Sequence, residues 1–151
     1  MVLATETPGA VLQVLRTIGL TAGDDSAFHQ ERVRAGFPWY GIDLSDKNLP
    51  QEASRNDQTI SFTKGCYLGQ ETVARLDALG QVQKQLVRWS IEGSRVAPGA
   101  EVSSDGKVVG RLTSIADTDD GKQIAIGIAR RSHFDPGSTA DGDGFAATVI
   151  G

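Results

Sequence analysis

The sequence holds a single cysteine, so no internal disulfide can form and Cys66 is either a free thiol or a small buried apolar group. With only two histidines, His29 and His133, both remote from that cysteine, no metal-ligand spacing occurs and no metal site is expected. Basic residues are in the minority. Fifteen Lys and Arg face 19 Asp and Glu, a net charge of -4, which excludes the broad cationic footprint of a nucleic-acid binder. No apolar run approaches the ~18 residues of a spanning helix. The start, Met-Val-Leu-Ala-Thr-Glu, lacks the charged region and apolar stretch of a signal peptide. The expectation is a soluble chain with no membrane and no direct nucleic-acid partner, cytoplasmic or in an equivalent matrix. Phosphate-binding motifs are missing too. There is no Gly-x-x-x-x-Gly-Lys-Ser/Thr run, and Asp141-Gly142-Asp143-Gly144 lacks the third glycine of a dinucleotide fingerprint. The run from Asp117 to Gly121 resembles part of a calcium loop, but its glycine comes one place early and the closing Glu is absent. It reads as a polar turn.

What is present suffices for a folded protein. The 151 residues are 39% hydrophobic and 23% charged, close to globular averages, and fit one domain or two small ones. Val11, Leu12, Leu15 and Ile18 place an apolar stripe on a helix over residues 8–20, with Gly19 at its C-terminal end. Asp24, Asp25 and Ser26 offer N-caps for a second helix that runs to about Ala35 and is stopped by Gly36 and Pro38. Residues 39–57 are rich in turn formers and read as a structured loop. Residues 59–63 read as a short β-prone segment, with Ile60 and Phe62 to one side. A third helix is expected from Gln70 to about Leu79, with Val73, Leu76 and Leu79 on its stripe, a Glu71/Arg75 pair one turn apart and Gly80 closing it.

After Gly80 the spacing changes to short alternating runs separated by turns, the mark of a small sandwich or barrel. Asp105-Gly106 is a strong hairpin signal, because both turn residues must accept positive φ. Residues 117–122 turn the next hairpin. The strand over residues 123–130 alternates Ile124, Ile126 and Ile128 against Ala125, Gly127 and Ala129, one bulky face and one thin, and should cross the barrel core. The fold class is therefore α+β, with residues 1–80 as one region and 81–151 as an antiparallel β-barrel.

Cys66 is expected in the turn before a helix, where unpaired amides, the helix dipole and Lys64 all favour a thiolate. Gly65 and Gly69 would allow close backbone approach or positive φ. Residue chemistry alone leaves open the plainer reading, a buried thiol in a strand-to-helix turn. Trp39 and Tyr40, beside Gly41, could stack a flat ligand or cover a core. Asp43 and Glu52 could accept paired hydrogen bonds from an amino-pyrimidinone edge, or be solvated loop acids. His29 reads as a helix-surface residue.

Three blocks together resemble the YgfZ-type branch of the glycine-cleavage T-protein superfamily. They are Arg32-Val33-Arg34-Ala35-Gly36-Phe37-Pro38 leading to Tyr40-Gly41-Ile42-Asp43; Leu49-Pro50-Gln51-Glu52-Ala53; and Lys64-Gly65-Cys66-Tyr67-Leu68-Gly69-Gln70-Glu71 with its flanks through Arg75. The resemblance implies a protein that binds tetrahydrofolate in a central cavity and assists assembly or repair of iron–sulfur client enzymes, including some that modify tRNA. It makes Cys66 the residue tied to activity, with Lys64, Gly65, Tyr67, Gly69, Gln70 and Glu71 as its motif. Family members carry a further large N-terminal segment, so the chain is expected to be a C-terminal fragment with an incomplete folate site. Arg34 stands where T-proteins carry Glu. That change, and the Cys octet, argue against the alternative of a tetrahydrofolate-dependent aminomethyltransferase. A non-catalytic module that binds a partner is the third reading.

Overall fold

The computed structural model describes residues 8–61, 63–66, 69–79 and 82–150. Tyr67, Leu68, Phe62 and Gly80 of the expectations above lie outside these, as do the side chains of Leu76 and Leu79. Four helices precede the barrel: α1 (Pro8–Thr17), α2 (Asp25–Arg34), α3 (Asn56–Thr59) and α4 (Gln70–Leu79), with a 3-10 turn at Pro50–Ala53. Six strands follow: β1 (Lys84–Gly93), β2 (Glu101–Ser104), β3 (Lys107–Asp117), β4 (Gln123–Arg130), β5 (Thr139–Gly142) and β6 (Phe145–Val149). They close into an antiparallel barrel in the order β1-β4-β3-β2-β5-β6, with β6 paired back to β1. The class is α+β.

Local chemistry sets the boundaries. Asp24 caps α2 by accepting from the Ala27 amide at 2.8 Å. Both α1 and α2 end on a glycine in the left-handed region: the Leu20 amide reaches back to the Leu15 carbonyl, and the Phe37 amide to that of Arg32. Asp105 and Gly106 take φ of 50° and 72°, so the β2–β3 hairpin uses the turn its sequence specifies. The β-prone reading of residues 59–63 is overturned. Thr59 belongs to α3, Ile60 and Ser61 pair with no strand, and Thr63 and Lys64 lie in a bend. The short helix takes precedence because the Thr59 hydroxyl and amide both bond back to the Arg55 carbonyl.

The two faces of β4 serve two layers. Ala125 and Ala129 enter the barrel interior with Trp89, Leu112, Val102 and Val149. Ile126, flanked by Ile124 and Ile128, packs outward against Val33 of α2 and Leu86. The thin face has to be thin. A Cβ on Gly127 would lie 2.5 Å from the Arg111 carbonyl oxygen, inside backbone contact distance. Trp89, fully buried, fills the bore, so the barrel is a packed core and not a channel.

Helix α2 docks on the barrel largely through polar groups. Gln30 accepts from the Asp117 amide at 2.8 Å, and Arg34 donates twice to the Asp117 carbonyl. The centre of this seam is a buried ion pair, Arg32 to Asp43 at 2.7 Å, with side-chain exposures of 3% and 0%. Arg32 also donates to Ser114 Oγ and to His29 Nδ1. Since a guanidinium has no acceptor, His29 must accept at Nδ1 and carry its proton on Nε2, which donates to the Ile115 carbonyl at 3.2 Å. His29 is thus half-buried in the seam, and not the surface residue expected. A β-bulge at Thr113 completes the arrangement. In a regular strand residues 113 and 114 would face opposite sides; the bulge turns both hydroxyls to Asp43 Oδ1, each at 2.6 Å.

Two stability predictions follow from this packing. Asp43→Ala strands a buried guanidinium and should cost about 3–5 kcal/mol in urea unfolding, whereas Glu71→Ala, which removes an exposed pair, should change stability by under ~0.5 kcal/mol; equal effects would refute the central role of the buried pair. Gly127→Ala should lower stability by about 1–3 kcal/mol through overpacking against β3, and a neutral result would show that β3 and β4 can separate at no cost.

Candidate functional site

Two exposed features stand on the helical side of the molecule. The first is the loop that opens α4. Lys64, Gly65 and Cys66 are all exposed, so the buried-thiol reading is overturned. Backbone geometry holds the loop: the Lys64 amide donates to Ser61 Oγ at 3.3 Å, and the Val73 amide to the Gly69 carbonyl at 3.1 Å. Gly69 has a φ of 85°, which a side chain would strain. Gly65 does not. It has no positive φ, and a Cβ there would meet open space, so backbone conformation does not require glycine at this position. Gln70 is half-buried, while Glu71 and Arg75 are exposed and face each other at 3.6 Å. Tyr67 lies outside the described residues. The loop is anchored from one side: buried Gln51 donates to the Val73 carbonyl of α4 at 2.9 Å, tying α4 to the 3-10 turn.

The second feature is the aromatic turn at residues 39–44. Asp43 Oδ2 accepts from the Trp39 amide at 2.9 Å, and the Gly41 amide donates to the Leu44 carbonyl at 2.7 Å, so the buried carboxylate folds the turn. Tyr40 is 71% exposed and Trp39 45%, the latter meeting Phe28 edge-on at 5.2 Å. Neither ring covers the barrel core. Their faces are available to a flat ligand. Ile42, also on the turn, is exposed.

The two carboxylates considered as ligand acceptors are committed within the chain. Asp43 receives four hydrogen bonds, from Arg32, Trp39, Thr113 and Ser114, which fill its acceptor sites. Glu52 is buried, and its Oε2 accepts from Asn48 and from the Leu49 amide while lying 3.5 Å from Lys84. Neither is a solvated loop acid. The signal nearest in sequence is Arg32, a charged residue beside the buried Val33 of α2; Thr113 and Ser114 lie 70 and 71 residues from Asp43. Gln51, which no pattern singled out, is the structural link between the loop of Glu52 and α4.

Two polar clefts of about 280 and 340 Å³ flank Arg55, the first reaching Gly36 and Arg88, the second reaching Gln51 and Gln85. Among the described residues, no three His, Cys, Asp or Glu converge to hold a metal. Displaced acidities occur only in exposed turn chemistry of the described residues. A hydrogen bond from Lys122, and its charge, hold the Glu92 carboxyl below its usual range and raise the Lys122 ammonium; a bond from Thr118 lowers Asp120.

No protein-family model matches the chain. Its sequence is 37% identical over 98 residues to the mitochondrial iron-sulfur cluster assembly factor IBA57 of Mus musculus, covering 60% of this chain and 27% of that protein. It is 35% identical over 101 residues to the tRNA-modifying protein YgfZ of Cronobacter sakazakii, covering 62% and 30% respectively. The glycine cleavage system aminomethyltransferase T of Bartonella henselae superposes with a TM-score of 0.82 at 16% identity, over 95% of this chain and 42% of that one. The chain thus spans under two fifths of the curated relatives it matches. With YgfZ, IBA57 and aminomethyltransferases all among its sequence relatives, and the T-protein fold in its coordinates, the chain belongs to the YgfZ/T-protein superfamily.

Proposed function

We propose that this chain is the thiol-bearing part of a folate-binding accessory protein that supports iron–sulfur cluster assembly or repair in client enzymes, including tRNA-modifying ones. The observation that carries the reading is the exposure of Cys66 in the loop that opens α4, within a run that resembles that branch's motif. A surface thiol can reach a cluster or a client's ligand, whereas a buried one could not. Lys64 places a cation two residues away. The names of the IBA57 and YgfZ relatives support the same reading. Residues 1–80 would supply the thiol and ligand surface, and residues 81–151 the barrel that positions them. A cytoplasmic or matrix location is part of the proposal.

The fit to tetrahydrofolate is partial. Trp39 and Tyr40 present stacking faces for a pterin ring, and when bound the folate would supply a one-carbon carrier. Asp43 acts one step back: it shapes the turn and leaves no acceptor for the ring's amino edge. Glu52 likewise orders its own turn. An aminomethyltransferase is the second reading, favoured by the T-protein fold. Arg34 weighs against it. In the position where T-proteins have Glu, its guanidinium straps α2 to the end of β3.

Replacing the parent protein with Cys66→Ala should lower the activity of an iron–sulfur enzyme in cells toward that of the deletion strain, at unchanged protein level. Full activity would exclude the thiol. Formation of methylene-tetrahydrofolate from an aminomethyl-lipoyl carrier would instead promote the second reading. In a tetrahydrofolate titration, Trp39 emission should quench to saturation, and Tyr40→Ala should weaken binding by about three- to tenfold. If Trp39 emission stays constant while folate binds, the aromatic turn is not the stacking surface.

A further inference from the structure

A groove of about 370 Å³ lies on the outer face of the barrel at the Lys84 end of β1. Its floor is apolar, formed by Val108, Val109 and Ile128, and its rim carries Lys84, Arg111 and Arg130. Val108 is 40% exposed in a chain whose other barrel valines are buried. The size falls in the ~300–1,000 Å³ range of small-molecule pockets.

The charges are out of balance. Lys84 and Arg130 are direct cross-strand partners on β1 and β4, a juxtaposition of like charges that destabilises a sheet. Arg111 of β3 pairs with Ile128, two residues before Arg130, which makes the two arginines diagonal neighbours, about 7–8 Å apart at their stems. Glu52, the acid in the lining, answers Lys84 alone. Glu101 stands opposite Arg111 on β2 without forming an ion pair. Among the described residues, neither the Arg111 nor the Arg130 guanidinium has a hydrogen-bond or ion-pair partner. A chain of net charge -4 has acids to spare, yet this groove gathers three cations around one.

Guanidinium forks match the planar oxygens of carboxylate and phosphate, and the apolar floor needs a body of its own kind. We propose that this groove binds a small amphiphilic oxyanion, whose ring-sized apolar body rests on Val108, Val109 and Ile128 and whose carboxylate or phosphate is held by Arg111 and Arg130. The site uses neither Cys66 nor the aromatic turn, and stands or falls independently of the folate reading.

Nitrogen-15 NMR of the whole chain tests it with four probes: 2-naphthoate, 2-naphthyl phosphate, uncharged 2-naphthamide and inorganic phosphate. Saturable shifts are expected at the amides of Gly110 and Ala129 with one or both naphthyl anions, and the tighter anion identifies the head group. Naphthamide and inorganic phosphate should bind at least roughly tenfold more weakly, each lacking half of the recognition. Arg111→Gln and Arg130→Gln should each weaken the naphthyl anion by roughly tenfold at unchanged Tm. Equal binding of naphthamide, shifts centred elsewhere, no saturable shift, or unchanged affinity in a doubly substituted protein of unchanged Tm would overturn the proposal.

Discussion

The ion pair between Arg32 and Asp43 is the constraint on which the other arrangements depend. Two charges with side chains almost wholly removed from water cost several kcal/mol each in lost hydration, and their attraction repays that only when every remaining donor and acceptor is met. Here they are met from three elements: the helix through His29, the turn through the Trp39 amide, and the strand through Thr113 and Ser114. The pair is therefore better understood as a register device than as a source of net stability. It favours one seating of α2 on β3, because a slide of one residue would carry Arg32 and Asp43 away from the Thr113 and Ser114 hydroxyls that satisfy them.

From that seating follows the division of the helical side into two parts with different freedom. The aromatic turn is built on the fixed carboxylate and shares its rigidity, a useful property in a surface that must present ring faces at a set angle. Among the described residues, the loop around Cys66 is tied to the rest of the chain through the bond of Gln51 to α4 and is shaped by local backbone turns. A thiol so mounted suits contact with something large, since access costs no rearrangement of the barrel.

Elements written in backbone chemistry were legible in the sequence. Asp24, Gly19, Gly36 and Asp105-Gly106 each specify a cap or turn through their own conformational limits, and the structure uses them so. The alternation along β4 marked a two-layer strand, although not which face would enter the barrel. What stayed hidden was polar and long-range. Helix α2 buries Val33 as its apolar anchor and docks through Gln30, Arg32 and Arg34, so hydrophobic spacing carried no record of its partner. The bulge at Thr113 has no glycine to announce it. Asp43 and Glu52 were read as solvated or ligand-facing because a carboxylate in a loop shows its chemistry but not the donors that fold around it. Cys66 went the other way: a lone thiol is commonly buried, and no residue in its motif records that it is exposed.

The distance along the chain between Asp43 and its hydroxyl donors has a consequence for how the molecule is made. Thr113 and Ser114 follow Asp43 by 70 and 71 residues, which at roughly 5–20 residues per second is about 4 to 14 seconds of translation. By the end of that interval the thiol loop and both halves of the ion pair have been made, while the strand that satisfies the carboxylate is only then being added. Closure waits longer still, because β1 must find β6 near the end of the sequence. The nascent chain thus passes through a period in which its thiol loop has been made ahead of the strand that will fix α2.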